Sequence, residues 1–290
     1  MNYQHKYFFL RLLAITALLF TASLRPAVAQ SAPSLGAAST FSVLGGQAVT
    51  CTSSVITGDV GISPGLDAAF TNTGCAIAGG TPPATDAAAA QARTGFLSAY
   101  GAIGLLSCDQ TISTAAFTNN LPALGPLAPG VYCFPAAVTF TDTTLTLDGS
   151  TNPNGIWIFK VAAALTGSGF QVVMTNGGQP CNVFWSVGAA TTLSTSTLLP
   201  LFQGNILAGD ATGGSITVTS GSLIGRVLAN VAVTLKATNI HGSCALVAGA
   251  KASCSVDDND ERHDDKDKDR EQDKNHDKDK DHENDEGRDR

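Results

Sequence analysis

The sequence is poor in charge. Between Gln30 and Val256 it has no glutamate, seven aspartates and five lysines or arginines. Globular chains ordinarily give about a quarter of their residues to these four types, so the polar surface here must come from Thr, Ser, Asn, Gln and backbone. Such a surface offers no basic patch for nucleic acid or an anionic membrane. The same stretch has a single histidine, His241, and lacks a Gly-x-Ser-x-Gly elbow, a His-x-x-x-His pair and a phosphate loop. No two cysteines lie within four residues of each other, which argues against zinc. An enzyme needs a poised acid, base, nucleophile or metal. A β-helical polysaccharide lyase or hydrolase would build its groove from carboxylates and basic groups. The best such pair, Arg226 with Asp210, reads as a structural ion pair. A non-catalytic chain is expected.

Long apolar runs are absent after the amino terminus. Residues 1–29 read as a secretory signal: Lys6 and Arg11, an apolar core from Leu12 to Ala22, and Ala27-Val28-Ala29 before Gln30. The apolar core is too short to span a bilayer comfortably as an uncleaved anchor. An exported, monomeric protein without a membrane span is expected. Export makes the cysteines disulfide candidates. Neighbour pairing would join Cys51 to Cys75, Cys108 to Cys133 and Cys181 to Cys244, leaving Cys254 over, although other pairings remain open.

The net charge of −7 is set by the far end, because residues 257–290 alone carry −8. That run of Asp, Lys, Glu, Arg and His holds no aliphatic or aromatic residue. It cannot bury enough surface to fold and reads as a solvated tail. Its Asp-x-Asp spacings with His263, His276 and His282 would gather divalent cations only weakly, since interleaved Lys and Arg compete for the carboxylates. The expected organisation is a signal at 1–29, a folded domain at 30–246 and a charged tail at 247–290.

What the body does contain is repetition. Trp185/Val187, Ile206/Ala208 and Val227/Ala229 recur 21 residues apart, each followed by a Thr- and Ser-rich run. Short alternating strands at this period mark a stacked solenoid, because one coil cannot bury its inner face alone. Trp157 and Trp185 read as rim or core aromatics rather than sugar-stacking platforms. Residues 66–84 read as loop, punctuated by Gly79-Gly80 and Pro82-Pro83. A helix is predicted from Ala87 to about Leu106, capped by Thr85 or Asp86, with Phe96, Ala99, Tyr100, Ile103 and Leu106 on one face. It should cover apolar surface of the stack.

Several segments carry a resemblance: Leu35–Leu44, Ile56–Gly65, Leu127-Ala-Pro-Gly-Val-Tyr-Cys-Phe134, Leu145-Thr-Leu-Asp-Gly149, Gly155-Ile-Trp-Ile-Phe159, Cys181-Asn-Val-Phe-Trp185, Gly204-Asn-Ile-Leu-Ala208 and Gly225-Arg-Val-Leu-Ala229. In this order they resemble the successive signatures of the microbial ice-binding-like (antifreeze) family, over residues 35–244. The resemblance implies a mainly β fold, a right-handed β-solenoid of triangular cross-section with one long α-helix alongside. It also implies secretion, no cofactor and adsorption to an ice crystal surface through a flat face. The strict Thr-Ala/Gly-x-Thr/Asn step often found on that face is missing here. In its place the chain offers Thr192, Thr195, Thr197, Thr217, Thr219, Thr234 and Thr238, on a face that the sequence does not identify.

A second reading is a cell-surface or matrix adhesion solenoid whose acidic tail engages cations or envelope polymers. Deleting residues 257–290 tests it. Loss of cell or polymer association is the result that reading expects, and unchanged association would remove the tail from any such role.

Overall fold

The computed structural model describes residues 31–79, 87–113, 115–118, 125–194 and 201–242. The signal segment, Thr85, Asp86, Thr195, Thr197, Cys244 and the charged tail lie outside these residues.

Period-two segments broken by small-residue corners give short strands, which close into coils. After a 3₁₀ turn at Gly36–Ser39, the first coil is β1 (Phe41–Gly45), β2 (Ala48–Thr52) and β3 (Val55–Thr57). The second is β4 (Asp59–Ile62), β5 (Phe70–Thr73) and β6 (Ala76–Ala78). The helix α1 (Ala87–Gly104) follows, then β7 (Gln110–Thr111) and β8 (Ala116–Thr118). Three full coils come next: β9 (Gly130–Phe134), β10 (Val138–Thr141), β11 (Thr144–Asp148); β12 (Trp157–Val161), β13 (Leu165–Ser168), β14 (Gln171–Thr175); and β15 (Val183–Val187), β16 (Thr191–Ser194), β17 (Leu201–Gln203). In the last two, β18 (Asn205–Ala208) leads to the long β19 (Ile216–Ile224), and β20 (Val227–Ala229) to the long β21 (Ala232–His241).

Strands of neighbouring coils pair in parallel, which gives the stack three faces. The first face runs β4-β1-β20-β18-β15-β12-β9-β7. The second runs β8-β10-β13-β16-β19-β21-β2-β5, and the third runs β11-β14-β17-β19-β21-β3-β6, with β19 and β21 bending through the corner between them. Stack order is not chain order. The chain lays two coils at one end, crosses to the other end through α1, and builds back until β20 and β21 meet β1 and β2. The 18 residues of α1 span ~27 Å, comparable with the ~34 Å covered by eight strands at parallel spacing.

The 21-residue repeat is the stacking register: Trp185 pairs with Ile206 and Ile206 with Val227, while Val187, Ala208 and Ala229 form the next column. These side chains point into the stack. Tyr132, Phe159 and Trp185 stack at 5.5 and 4.1 Å, and Phe140 lies 4.2 Å from Phe170. Both tryptophans are fully buried, and Trp157 Nε1 donates to Leu127 O. The first face is buried on its outer side too. There Val131, Ile158, Phe184, Leu207, Leu228 and Leu44 pack against Ala89, Ala92, Phe96, Ala99 and Ile103 of α1. Gly95 lets α1 approach the segment around Leu35, since a Cβ there would collide with the Leu35 carbonyl. Lys160, on β12, donates to the Gly104 and Leu106 carbonyls, placing a cation at the negative end of the helix.

Residues 66–84 are not simply loop, because β5 and β6 add a further coil there. This coil ends the stack, so its inward positions are not all apolar: Asn72 stands where Cys51 stands one coil inward. The two disulfides whose partners are both described hold terminal coils. Cys51–Cys75 ties the β4–β6 coil to β2, and Cys108–Cys133 ties the segment before β7 to β9. Each closes a loop whose entropy corresponds to roughly 3–4 kcal/mol. Cys181 is disulfide-bonded too, to a partner outside the described residues.

Two buried threonines give opposite expectations for one substitution. Thr191 points inward in the column of Leu165 and Ile216, and its Oγ1 has no partner among the described residues. Thr238 is also buried, but its Oγ1 donates to Gly221 O. Thr191→Val should raise stability by about 1 kcal/mol by removing an unpaired buried hydroxyl, or roughly 2–4 °C in thermal midpoint. Thr238→Val should lower it by a similar amount. Thermal denaturation followed by circular dichroism measures both.

Candidate functional site

The second face carries the repetitive surface. Alternation along each strand sends one residue in and the next out, and the register aligns the outward ones coil by coil. One outward column reads Thr139, Thr166, Thr192, Thr217, Thr234, Thr50 and Thr71 across seven successive strands, with Ala116 on the eighth. The second column, two residues further along each strand, reads Thr118, Thr141, Ser168, Ser194, Thr219, Lys236, Thr52 and Thr73. Neighbours within a column are ~4.8 Å apart, and the columns are ~6.8 Å apart. Among the described residues, no hydroxyl of either column bonds to another protein group. They are left to the solvent.

A left-handed corner limits the surface to two columns. The residue after the second column has positive φ in Gly74, Ser53, Ala237, Ser220, Gly169 and Asp142. This bend reverses the in–out alternation, so the next side chain turns inward. Ser54, Thr143 and Thr238 occupy that position and are buried. Ser54 Oγ donates to Thr52 O and accepts from Thr238 N–H, while Thr143 Oγ1 donates to Thr141 O. Thr238 is therefore not a surface residue, contrary to the sequence expectation: strict alternation from Thr234 would place it outside, but the corner at Ala237 intervenes. Thr192, Thr217, Thr219 and Thr234 do share the second face. Sequence reasoning missed Thr50, Thr52, Thr71, Thr73, Thr118, Thr139, Thr141 and Thr166. For six of them the signal was the Thr-x-Thr spacing of 50–52, 71–73 and 139–141, scattered over coils far apart in sequence, whereas Thr118 and Thr166 stand in Ala-x-Thr and Thr-x-Ser.

The other faces differ. The first lies under α1. The third is mixed, with one outward run of Thr144 beside Gln171 and another of Ser222, Asn239, Val55 and Ala76. A cleft of about 430 Å³ beside α1 is lined by Tyr100, Phe134, Lys160 and Ser186 among others. Its one charged side chain, Lys160, is engaged with the helix carbonyls. Burial raises the Tyr100 phenol above its ordinary range, with a smaller push from the Asp210 charge.

Asp210 and Asp148 serve turns. Asp210 accepts from Gly213 N–H and from Thr212, and these bonds hold its carboxyl below the usual range. Asp148 is held low chiefly by the Asn176 side chain, then by Ser150. Asp109 accepts from Val131 N–H. Arg226 donates to Ser39 O and to Asn205 Oδ1, bracing coils. Among the described residues no three His, Cys, Asp or Glu side chains converge as metal ligands, and no helix is long and apolar enough to cross a membrane.

Comparison with known proteins agrees with this architecture. The family model described as ice-binding-like matches residues 43–241. The ice-binding protein of Nostoc sp. (strain HG1) is 40% identical over 238 residues, covering 80% of this chain and 82% of that protein. The ice-binding protein of Flavobacterium frigoris (strain PS1) is 31% identical, covering 71% and 75% respectively. Among solved structures, an ice-binding protein from the Antarctic ascomycete Antarctomyces psychrotrophicus is 29% identical with a TM-score of 0.58, covering 73% of this chain and 98% of that one. The corresponding domain of ice-binding protein 1 from Shewanella frigidimarina is 27% identical with a TM-score of 0.60, over the same shares. With its covered first face, its threonine columns and these relatives, the chain belongs to the ice-binding-like family.

Proposed function

We propose that this protein is secreted, adsorbs to ice through the second face and inhibits ice recrystallisation, without catalysing a reaction. The observation that carries the reading is the pair of in-register Thr/Ser columns whose hydroxyls have no protein partner among the described residues. Each threonine offers a hydroxyl and a methyl from a side chain with restricted χ1, so ordering water over the grid costs little side-chain entropy. The two spacings, ~4.8 and ~6.8 Å, lie near repeats of the ice lattice. Methyl groups order the water lying between them while hydroxyls anchor it. Among the described residues, nothing comparable repeats on the third face.

The test is grain growth in frozen sucrose with the protein at low concentration. The wild type should hold grains small. Thr217→Tyr, in the middle of the second face, should abolish this while leaving the fold intact by circular dichroism. Thr146→Tyr, outward on the third face, should retain full activity. Equal loss in both variants would remove the second face from the reading, and grains coarsening as fast with wild type as with buffer would remove ice adsorption.

A further inference from the structure

The second face has one charged member. Lys236 is exposed on β21, between Thr219 and Thr52 in the second column and two residues beyond Thr234. It is the only charged side chain in either column, and no carboxylate is present in them. A lysine ammonium is compact, strongly hydrated and offers three donors with no acceptor. Ice-like water needs each site to donate and accept in equal measure. The four-carbon stem also raises that charge well above the level of the threonine methyls. An ordered water layer resting on the grid must break around it.

The position decides the consequence. On one side of Lys236 the second column continues without interruption through Thr219, Ser194, Ser168, Thr141 and Thr118. On the other side only Thr52 and Thr73 remain. The first column is unbroken past this point, through Thr234, Thr50 and Thr71. The backbone scaffold thus extends over all eight strands, while the flat two-column surface stops at five.

We propose that Lys236 sets the extent of the ice-contacting surface, restricting tight contact to the five strands from β8 to β19. This inference rests on the second face being the one that meets ice. Replacing the side chain should restore a continuous grid without disturbing the fold, because Thr suits an exposed strand better than Lys.

The experiment compares full-length wild type, Lys236→Thr, Lys236→Arg and Thr192→Tyr by recrystallisation inhibition and thermal hysteresis, with circular dichroism confirming the fold of each. Lys236→Thr should act at a concentration lower by on the order of tenfold, about 1.4 kcal/mol, as β21, β2 and β5 join the contact. Lys236→Arg, which keeps length and charge, should stay at the wild-type level. If Thr192→Tyr is inactive but Lys236→Thr matches the wild type, the inference about Lys236 is overturned and the face assignment survives. If Thr192→Tyr retains full activity, both are overturned. An inactive wild type with an active Lys236→Thr would support the inference in its strongest form, and inactivity of both would sink the two readings together.

Discussion

Parallel, in-register stacking is the constraint on which the rest of this structure depends. Once equivalent residues sit ~4.8 Å apart, each outward choice is repeated into a column, and each column must tolerate its own repetition. Two like charges at that spacing repel by about 3 kcal/mol at the effective dielectric of a protein surface, so a ladder of Asp or Lys would oppose the stack that creates it. Threonine repeats without that cost and favours the strand conformation. The scarcity of charge between Gln30 and Val256 thus follows from the architecture as much as from function. Among the described residues no two like charges adjoin in a column: Lys160 lies between Cys133 and Ser186, and Lys236 between Thr219 and Thr52.

A stack also has two ends and several faces, and the chain treats each differently. The ends are where pairing stops and coils fray most easily, and both disulfides with described partners lie there. The helix that carries the chain between the ends buries the first face on the way. Connection and cover are therefore the same element. Of the two faces left exposed, only one repeats the same side chains from coil to coil.

Much of this was legible in the sequence. The columns through Trp185, Ile206 and Val227 appear as a 21-residue period because those coils have equal lengths. The coils containing Tyr132 and Phe159 hold the same register with longer connections, so period alone did not reveal them. The helix was visible from Phe96, Ala99 and Ile103, although Ala89 and Ala92, which are just as buried, look like generic alanines. The coil of β5 and β6 was hidden because it ends the stack and needs few apolar residues. Of the candidate threonines, Thr192, Thr217, Thr219 and Thr234 fall together, whereas Thr50 and Thr71 could not be linked to them without knowing that β2 pairs with β21. That pairing joins the two extremes of the folded chain, and no local pattern encodes it.

Thr238 shows why the site is as narrow as it is. Period-two reasoning carries Thr234 and Lys236 outward and would carry Thr238 with them. The left-handed residue at Ala237 breaks the alternation, and the same bend recurs after the second column in other coils. For a residue with a side chain this conformation is costly, yet Ser53, Asp142, Ser220 and Ala237 all adopt it. The inward side chains that follow repay part of the strain by bracing neighbouring coils, as Thr238 does through Gly221 O and Ser54 does by accepting from Thr238 N–H. The corner therefore divides hydroxyls of the same chemistry into two populations. Those before it stand in straight columns with their hydrogen-bonding capacity unspent, and those after it spend that capacity holding the columns in line. A flat surface that orders water needs both, because hydroxyls can be left free only where other groups fix the backbone beneath them.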